Sequence, residues 1–122
     1  MILPDTSIWI DHLRTPSLEL SRALRERRIV MHPFVIGEIA LGSIKDRATV
    51  VTQLEALPRA AVAQHDEVMG LIERRNLSGA GIGYVDAHLL ASAMLMPMGR
   101  LWTRDKRLRD AAERLAVAEL EN

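Results

Sequence analysis

Cysteine is absent from the 122 residues, which rules out disulfides, zinc–thiolate sites and a thiol nucleophile. Aromatics are few, and both tryptophans, Trp9 and Trp102, stand in apolar stretches, where they read as core rather than as platforms for base stacking. Neither sign of charge is in excess: sixteen basic and sixteen acidic side chains cancel. Dedicated nucleic-acid binders usually carry a basic surplus, so any such contact must come from a local cluster of Arg and Lys. No long hydrophobic run is present. The most apolar window, residues 79–99, is interrupted by Asp86, His88, Ser92 and Pro97 and makes a poor membrane span. The start, Met-Ile-Leu-Pro-Asp, shows no basic segment and no cleavable apolar stretch, so a soluble cytoplasmic domain is expected. No repeat, linker or low-complexity segment interrupts it. What remains is 48% apolar and 26% charged, an ordinary globular composition. The length suits a single domain spanning residues 1–122.

Punctuation marks out the elements. Ile2 and Leu3 read as a short buried strand, and Asp5-Thr6-Ser7 as the start of a helix, with Ser and Thr as good caps. That helix should stop before Pro16, because a residue preceding proline avoids the helical region. Leu18, Leu20, Ala23 and Leu24 mark a second helix. Residues 29–31 read as a strand, and Pro33 suits the first position of a helix ending near Gly42. A further helix over about 47–57 is closed by Pro58, and residues 61–63 read as a brief strand. Val68, Leu71 and Ile72 give helical spacing, followed by a loop over 78–83 and a nearly uncharged helix over about 84–96. Residues 101–103, 108–115 and 116–118 read as strand, helix and strand. Short strands alternating with helices indicate a parallel sheet covered on both faces. The ligand site of such a sheet lies beyond the C-terminal ends of its strands, where Asp5 and Asp105 fall.

The strongest signal is the isolation of the acids. Asp5 is the only charged residue of the first ten, Glu38 the only one between Arg28 and Lys45, and Asp86 the only one between Arg75 and Arg100. An ionised carboxylate in apolar surroundings needs a partner, a hydrogen bond or a metal. On its helix Glu38 has Phe34, Val35 and Leu41 as neighbours, so its carboxylate is expected to rise among core side chains. Brought together, these acids would repel one another unless a cation bound them. Taken singly, an isolated acid is more often a helix cap or a salt-bridge partner, by roughly two to one. Asp105, inside the charged run from Thr103 to Arg107, reads equally well as a solvated cap.

Asp5-Thr6-Ser7 after an apolar start, Glu38 in Val-Ile-Gly-Glu-Ile, Asp86 in Tyr-Val-Asp-Ala-His-Leu-Leu-Ala-Ser-Ala, and Thr103-Arg104-Asp105 form a recognisable set. In that order and spacing, the chain resembles the PIN domain over essentially its full length, and more narrowly the VapC toxins of bacterial toxin–antitoxin pairs. The resemblance implies a three-layer α/β/α sandwich with a short-stranded, mostly parallel sheet. It also implies a Mg²⁺- or Mn²⁺-dependent endoribonuclease. Asp5, Glu38, Asp86 and Asp105 match the family's acidic positions, with Asp5, Asp86 and Asp105 as metal ligands. Thr6 and Thr103 match its hydroxyl positions. Hard divalent cations prefer oxygen ligands, and Mg²⁺ keeps several waters, so a few carboxylates suffice. Some members carry a further acid after the fourth position, where this chain has Lys106 and Arg107. That departure leaves a second metal for RNA phosphate to complete.

The resemblance further implies a VapB-type antitoxin, whose flexible segment would lie in a groove and block the acids, and a homodimer. Arg14, Lys45, Arg104, Lys106 and Arg107 lie near the ends of the motif-bearing elements and are the candidates for RNA contact, against a reading as a solvated helix face. His12 and His88 read as solvated or hydrogen-bonded and receive no role. Two alternatives compete. A non-catalytic PIN-like module would bind metal or RNA without cutting. A phosphoacceptor signalling domain would need an acid pair after the first strand and an Asp ending a middle strand, and neither is present.

Overall fold

The structure, a computed structural model, describes residues 1–121. In chain order it runs β1 (Ile2–Pro4), α1 (Thr6–Arg14), α2 (Leu18–Arg25), α3 (Pro33–Leu41), α4 (Arg47–Glu55), α5 (His65–Arg74), α6 (Tyr84–Leu95), β2 (Arg100–Trp102) and α7 (Lys106–Arg114). Helix boundaries follow the local chemistry. Asp5 caps α1 by accepting from the Ile8 N–H at 3.2 Å, and Ser17 caps α2 by accepting from Leu20 at 3.2 Å. The first cap is therefore Asp5 itself, rather than the Ser and Thr that follow it. Pro33 opens α3 and Gly42 ends it. At the far end, α7 starts at Lys106, ahead of the expected 108, because Asp105 caps it by accepting from Leu108 at 3.0 Å.

The sheet is sparer than the sequence suggests. β1 and β2 pair in parallel with Leu3 opposite Leu101, and these two are the only regular strands among the described residues. The stretches expected at 29–31 and 116–118 contribute single parallel bridges: Ile29 to Ile2, Met31 to Arg59, and Ala118 to Leu101. Residues 61–63 form no strand; the bridge falls at Arg59, where Ala60 N–H donates to the Met31 carbonyl at 2.9 Å. One-residue pairings leave no alternating pattern for a sequence to display.

Taken with these bridges, the parallel segments lie side by side in the order third, second, first, fourth, fifth. The chain steps outward from β1 on one side, then returns to its other side with β2. The order reverses between β1 and β2, and in open parallel sheets ligands bind outside the C-terminal ends of the strands at such a reversal. Asp5 follows β1 immediately, and Asp5 N–H donates to the Trp102 carbonyl at the end of β2 at 2.9 Å. Leu3, Leu101, Leu89, Leu90 and Ile8 are fully buried around the strands, with α6 packed against both. The fold is α/β and PIN-like, with a parallel sheet. Among the described residues no helix is long and apolar enough to cross a membrane.

Candidate active site

Asp5 is 5% exposed, and its two oxygens are held differently. Oδ1 accepts from Ile8 N–H and from the Ser7 hydroxyl at 2.5 Å, and Oδ2 accepts a short hydrogen bond from Thr103 Oγ1. Burial pushes the Asp5 carboxyl above its ordinary value of 3.8, and these hydroxyl and N–H donors pull it partly back. Thr103 is itself buried, and it accepts from the Asp105 N–H at 3.0 Å while bonding Asp5. One hydroxyl thus ties the acid after β1 to the acid after β2.

Glu38 accepts from Thr6 Oγ1 at 2.6 Å, which joins α3 to the first residue of α1. Contrary to expectation, Glu38 is exposed rather than raised among core side chains. Its helical neighbours Phe34 and Leu41 are themselves 38% and 89% exposed, so apolar sequence around an acid is not the same as burial. Asp86 is half-buried at the third position of α6, where the Gly83 N–H at the helix start hydrogen-bonds its carboxylate. Burial is the main cause that pushes the Asp86 carboxyl up from 3.8. The Gly83 N–H opposes it, and the charges of Asp5, Asp105 and Glu38 push it up further. Asp86 can feel those three charges only because α1, α3 and α7 bring them to the same opening.

Among the described residues, no three acidic or histidine side chains stand as a ready-made cage for a metal ion. Like charges without a cation stay apart, and Asp5 and Asp105 spend oxygens on their helix caps. The chemistry of the donor set nonetheless fits a hard divalent cation: every side chain is an oxygen donor, two carboxylates carry raised proton affinity, and neighbouring hydroxyls hold Asp5 and Glu38 in place.

Ser7, which the sequence suggested only as a cap, bonds Asp5 and also accepts from the Arg104 N–H at 3.4 Å. Its spacing, two residues after Asp5, is the signal that could have found it. Gly83 is the second addition, legible as the start of a helix three residues ahead of an acid.

The basic residues divide. Arg104 forms ion pairs with Asp11 and with Glu121, the latter at 3.4 Å, and Lys106 pairs with Asp110 at 3.2 Å. Arg14 and Lys45 are exposed and border one groove, and Arg107 lies across Gly81. Trp9 and Trp102 are core, as expected. His12 is hydrogen-bonded, its Nδ1 accepting from Ser17 N–H at 2.9 Å. His88 corrects the sequence reading: it is 4% exposed and, among the described residues, its Nδ1 has no hydrogen-bond partner, because it faces Phe34 and Tyr84 rings at 4.8 and 4.7 Å.

Comparison with known proteins gives the family. The chain is 50% identical over 118 residues, covering 97% of it and 95% of the relative, to Ribonuclease VapC32 of Mycobacterium tuberculosis strain H37Rv. The same identity and coverage hold for Ribonuclease VapC32 of strain CDC 1551. The PIN domain pattern matches residues 2–114, which includes all four acids, and the chain therefore belongs to the PIN domain family.

Proposed function

We propose that this protein is a divalent-metal-dependent endoribonuclease, acting as the toxin of a toxin–antitoxin pair, with Asp5, Glu38, Asp86 and Asp105 as its working acids. The observation that carries the reading is the convergence of the acids: Asp86, whose proton affinity is raised first by burial, is raised further by the charges of Asp5, Asp105 and Glu38. Acids held together against their repulsion call for a cation. Asp5, Asp86 and Asp105 would hold Mg²⁺ or Mn²⁺. When bound, the metal supplies a more acidic water and neutralises charge on the phosphoryl oxygens.

The chain's own residues do the rest. Thr103 orients Asp5 Oδ2, and Thr6 orients Glu38. Glu38, exposed at the mouth and not engaged in a cap, is the group free to accept a proton from an attacking water. The name of the relatives, a ribonuclease, supports RNA as the substrate.

A partner reading accompanies this one. Along the face of α1 that begins at Thr6 runs a groove of about 710 Å³. Ile10, Leu13, Ile44 and Val50 give it apolar walls, with Arg14 and Lys45 at its side. It suits a VapB-type antitoxin segment that ends at the acids. Exposed Phe34, Tyr84 and Leu95 on α3 and α6 support a homodimer, and Arg14, Lys45, Arg104 and Lys106 remain the candidate contacts to flanking RNA. An RNA substrate supports action in the cytoplasm.

Asp5→Asn and Asp86→Asn variants test the catalytic assignment. Both are expected to fold, by circular dichroism, and to lose cleavage of RNA with Mg²⁺ or Mn²⁺. Undiminished cleavage by both, after removal of contaminating nucleases, overturns it.

A further inference from the structure

Of the four basic side chains between residues 104 and 109, three are engaged. Arg104 and Lys106 are ion-paired, and Arg109 donates to the Arg104 carbonyl at 3.4 Å. Arg107 is exposed and, among the described residues, makes neither an ion pair nor a hydrogen bond. An engaged arginine must give up its partners before gripping a phosphate; Arg107 gives up nothing.

Its position is as informative as its freedom. Arg107 lies in the first turn of α7, two residues after Asp105. From there its side chain crosses to Gly81, in the loop that ends at Gly83 and delivers Asp86. A Cβ at Gly81 would stand 2.7 Å from Arg107 Cδ and 2.8 Å from Nη1, so the side chain and its guanidinium rest directly on the glycine backbone. Gly81 also adopts φ of +79°, where other residues are strained. The planar guanidinium is thereby held beside the elements that carry two of the four acids.

We propose that Arg107, bedded on Gly81, is the phosphate clamp of the site: it binds a backbone phosphate of single-stranded RNA next to the bond that is cut. This rests on the ribonuclease reading of the acids and adds to it the group that seats the strand. A guanidinium matches phosphate with paired N–H donors, as an ammonium does not. Resting on backbone, it also has less freedom to lose on binding.

The neighbouring loop provides a matched control. Gly79 has nearly the same φ, +78°, with nothing within 4 Å of its would-be Cβ. Gly79→Ala and Gly81→Ala therefore impose the same backbone strain, and only the second displaces Arg107. Binding of a fluorescein-labelled single-stranded RNA oligonucleotide is measured by anisotropy, in EDTA to prevent cleavage, over a series of salt concentrations. Arg107→Ala is expected to bind about tenfold more weakly. Its slope of log affinity against log salt should shrink by about 0.7, the loss of one single-strand phosphate contact. Arg107→Lys should recover the slope and only part of the affinity. Gly81→Ala should bind as weakly as Arg107→Ala, Gly79→Ala as tightly as the wild type, and Gly81→Ala with Arg107→Ala no more weakly than Arg107→Ala alone. Wild-type cleavage and binding together with an unchanged slope in Arg107→Ala overturn the clamp alone. Equal losses in the two glycine variants overturn the role of Gly81. A wild type that neither binds nor cuts RNA overturns the ribonuclease reading and the clamp with it.

Discussion

Asp86 carries a cost in the metal-free protein. Its carboxyl is pushed above 3.8 by burial and then by three neighbouring acids, so the folded chain holds that proton more tightly than the unfolded chain does. Stability therefore falls as pH rises through the interval above 3.8, and the loss persists at neutral pH, where the group is ionised. Asp86→Asn keeps an oxygen to accept from the Gly83 N–H and removes the charge. It is expected to melt at a higher temperature than the wild type at neutral pH in EDTA, with the difference vanishing in acid. Adding Mg²⁺ or Mn²⁺ should raise the wild-type melting temperature and leave the variant's unchanged. A variant less stable than the wild type in EDTA would show that the four charges do not oppose folding. The same residue shows what the sequence could reveal. Its isolation between Arg75 and Arg100 foretold a carboxylate in apolar surroundings, and the structure half-buries it. Isolation misled at Glu38, where α3 turns Phe34 and Leu41 outward along with the acid. At Asp105 isolation gave no signal, because a cap in a charged run looks the same with or without neighbours across the fold, and only its place after a strand and the family pattern pointed to it.

At the scale of elements, the helices and the two regular strands were legible, and the extent of the outer pairings was not. Prolines 16, 33 and 58 and the capping residues write helix ends into the local sequence. The strands expected at 29–31 and 116–118 shrink to single bridges at Ile29, Met31 and Ala118, whose extent depends on partners far along the chain that nothing local announces. The start of α3 gives a testable case of local chemistry. His32 is fully buried, and its Nδ1 caps the helix by accepting from Phe34 N–H at 3.0 Å, which requires the neutral ring with its proton on Nε2. Burial first, then the nearby His88 and Arg59, lowers its pKa from 6.5 to about 4. The unfolded chain therefore takes up a proton that the fold refuses. The contribution of His32 to stability is whole above pH 6.5 and is lost as pH falls toward about 4. Urea unfolding across that interval should show stability declining with acid. His32→Asn, which keeps a capping acceptor and cannot titrate, should flatten the decline even if it lowers stability overall. An equally steep decline in the variant would place the acid sensitivity elsewhere.

Across the whole molecule, the parallel sheet explains why acids scattered from Asp5 to Asp105 come near enough for three of them to act on Asp86. The segment order reverses between β1 and β2, so the residues after both strands open on the same edge, and α3 and α6 bring Glu38 and Asp86 to it. Alternation of strands and helices was readable in the sequence; the order of the strands was not, because it resides in long-range pairing. With no net charge to draw RNA from a distance, affinity has to come from a few local cations, and steep salt dependence is expected. On the proposed reading, the groove beside α1 separates control from catalysis. Leu13 is 37% exposed at its wall and lies two helical turns from Thr6, so Leu13→Arg places a charge in the apolar path while leaving the acids untouched. Expressed alone, this variant is expected to cut RNA and halt growth as the wild type does. Co-expression of the cognate antitoxin should rescue cells carrying the wild type and fail with the variant, because a buried charge without a partner opposes docking. Full rescue of Leu13→Arg by the antitoxin would move the docking site away from this groove without disturbing the assignment of the acids.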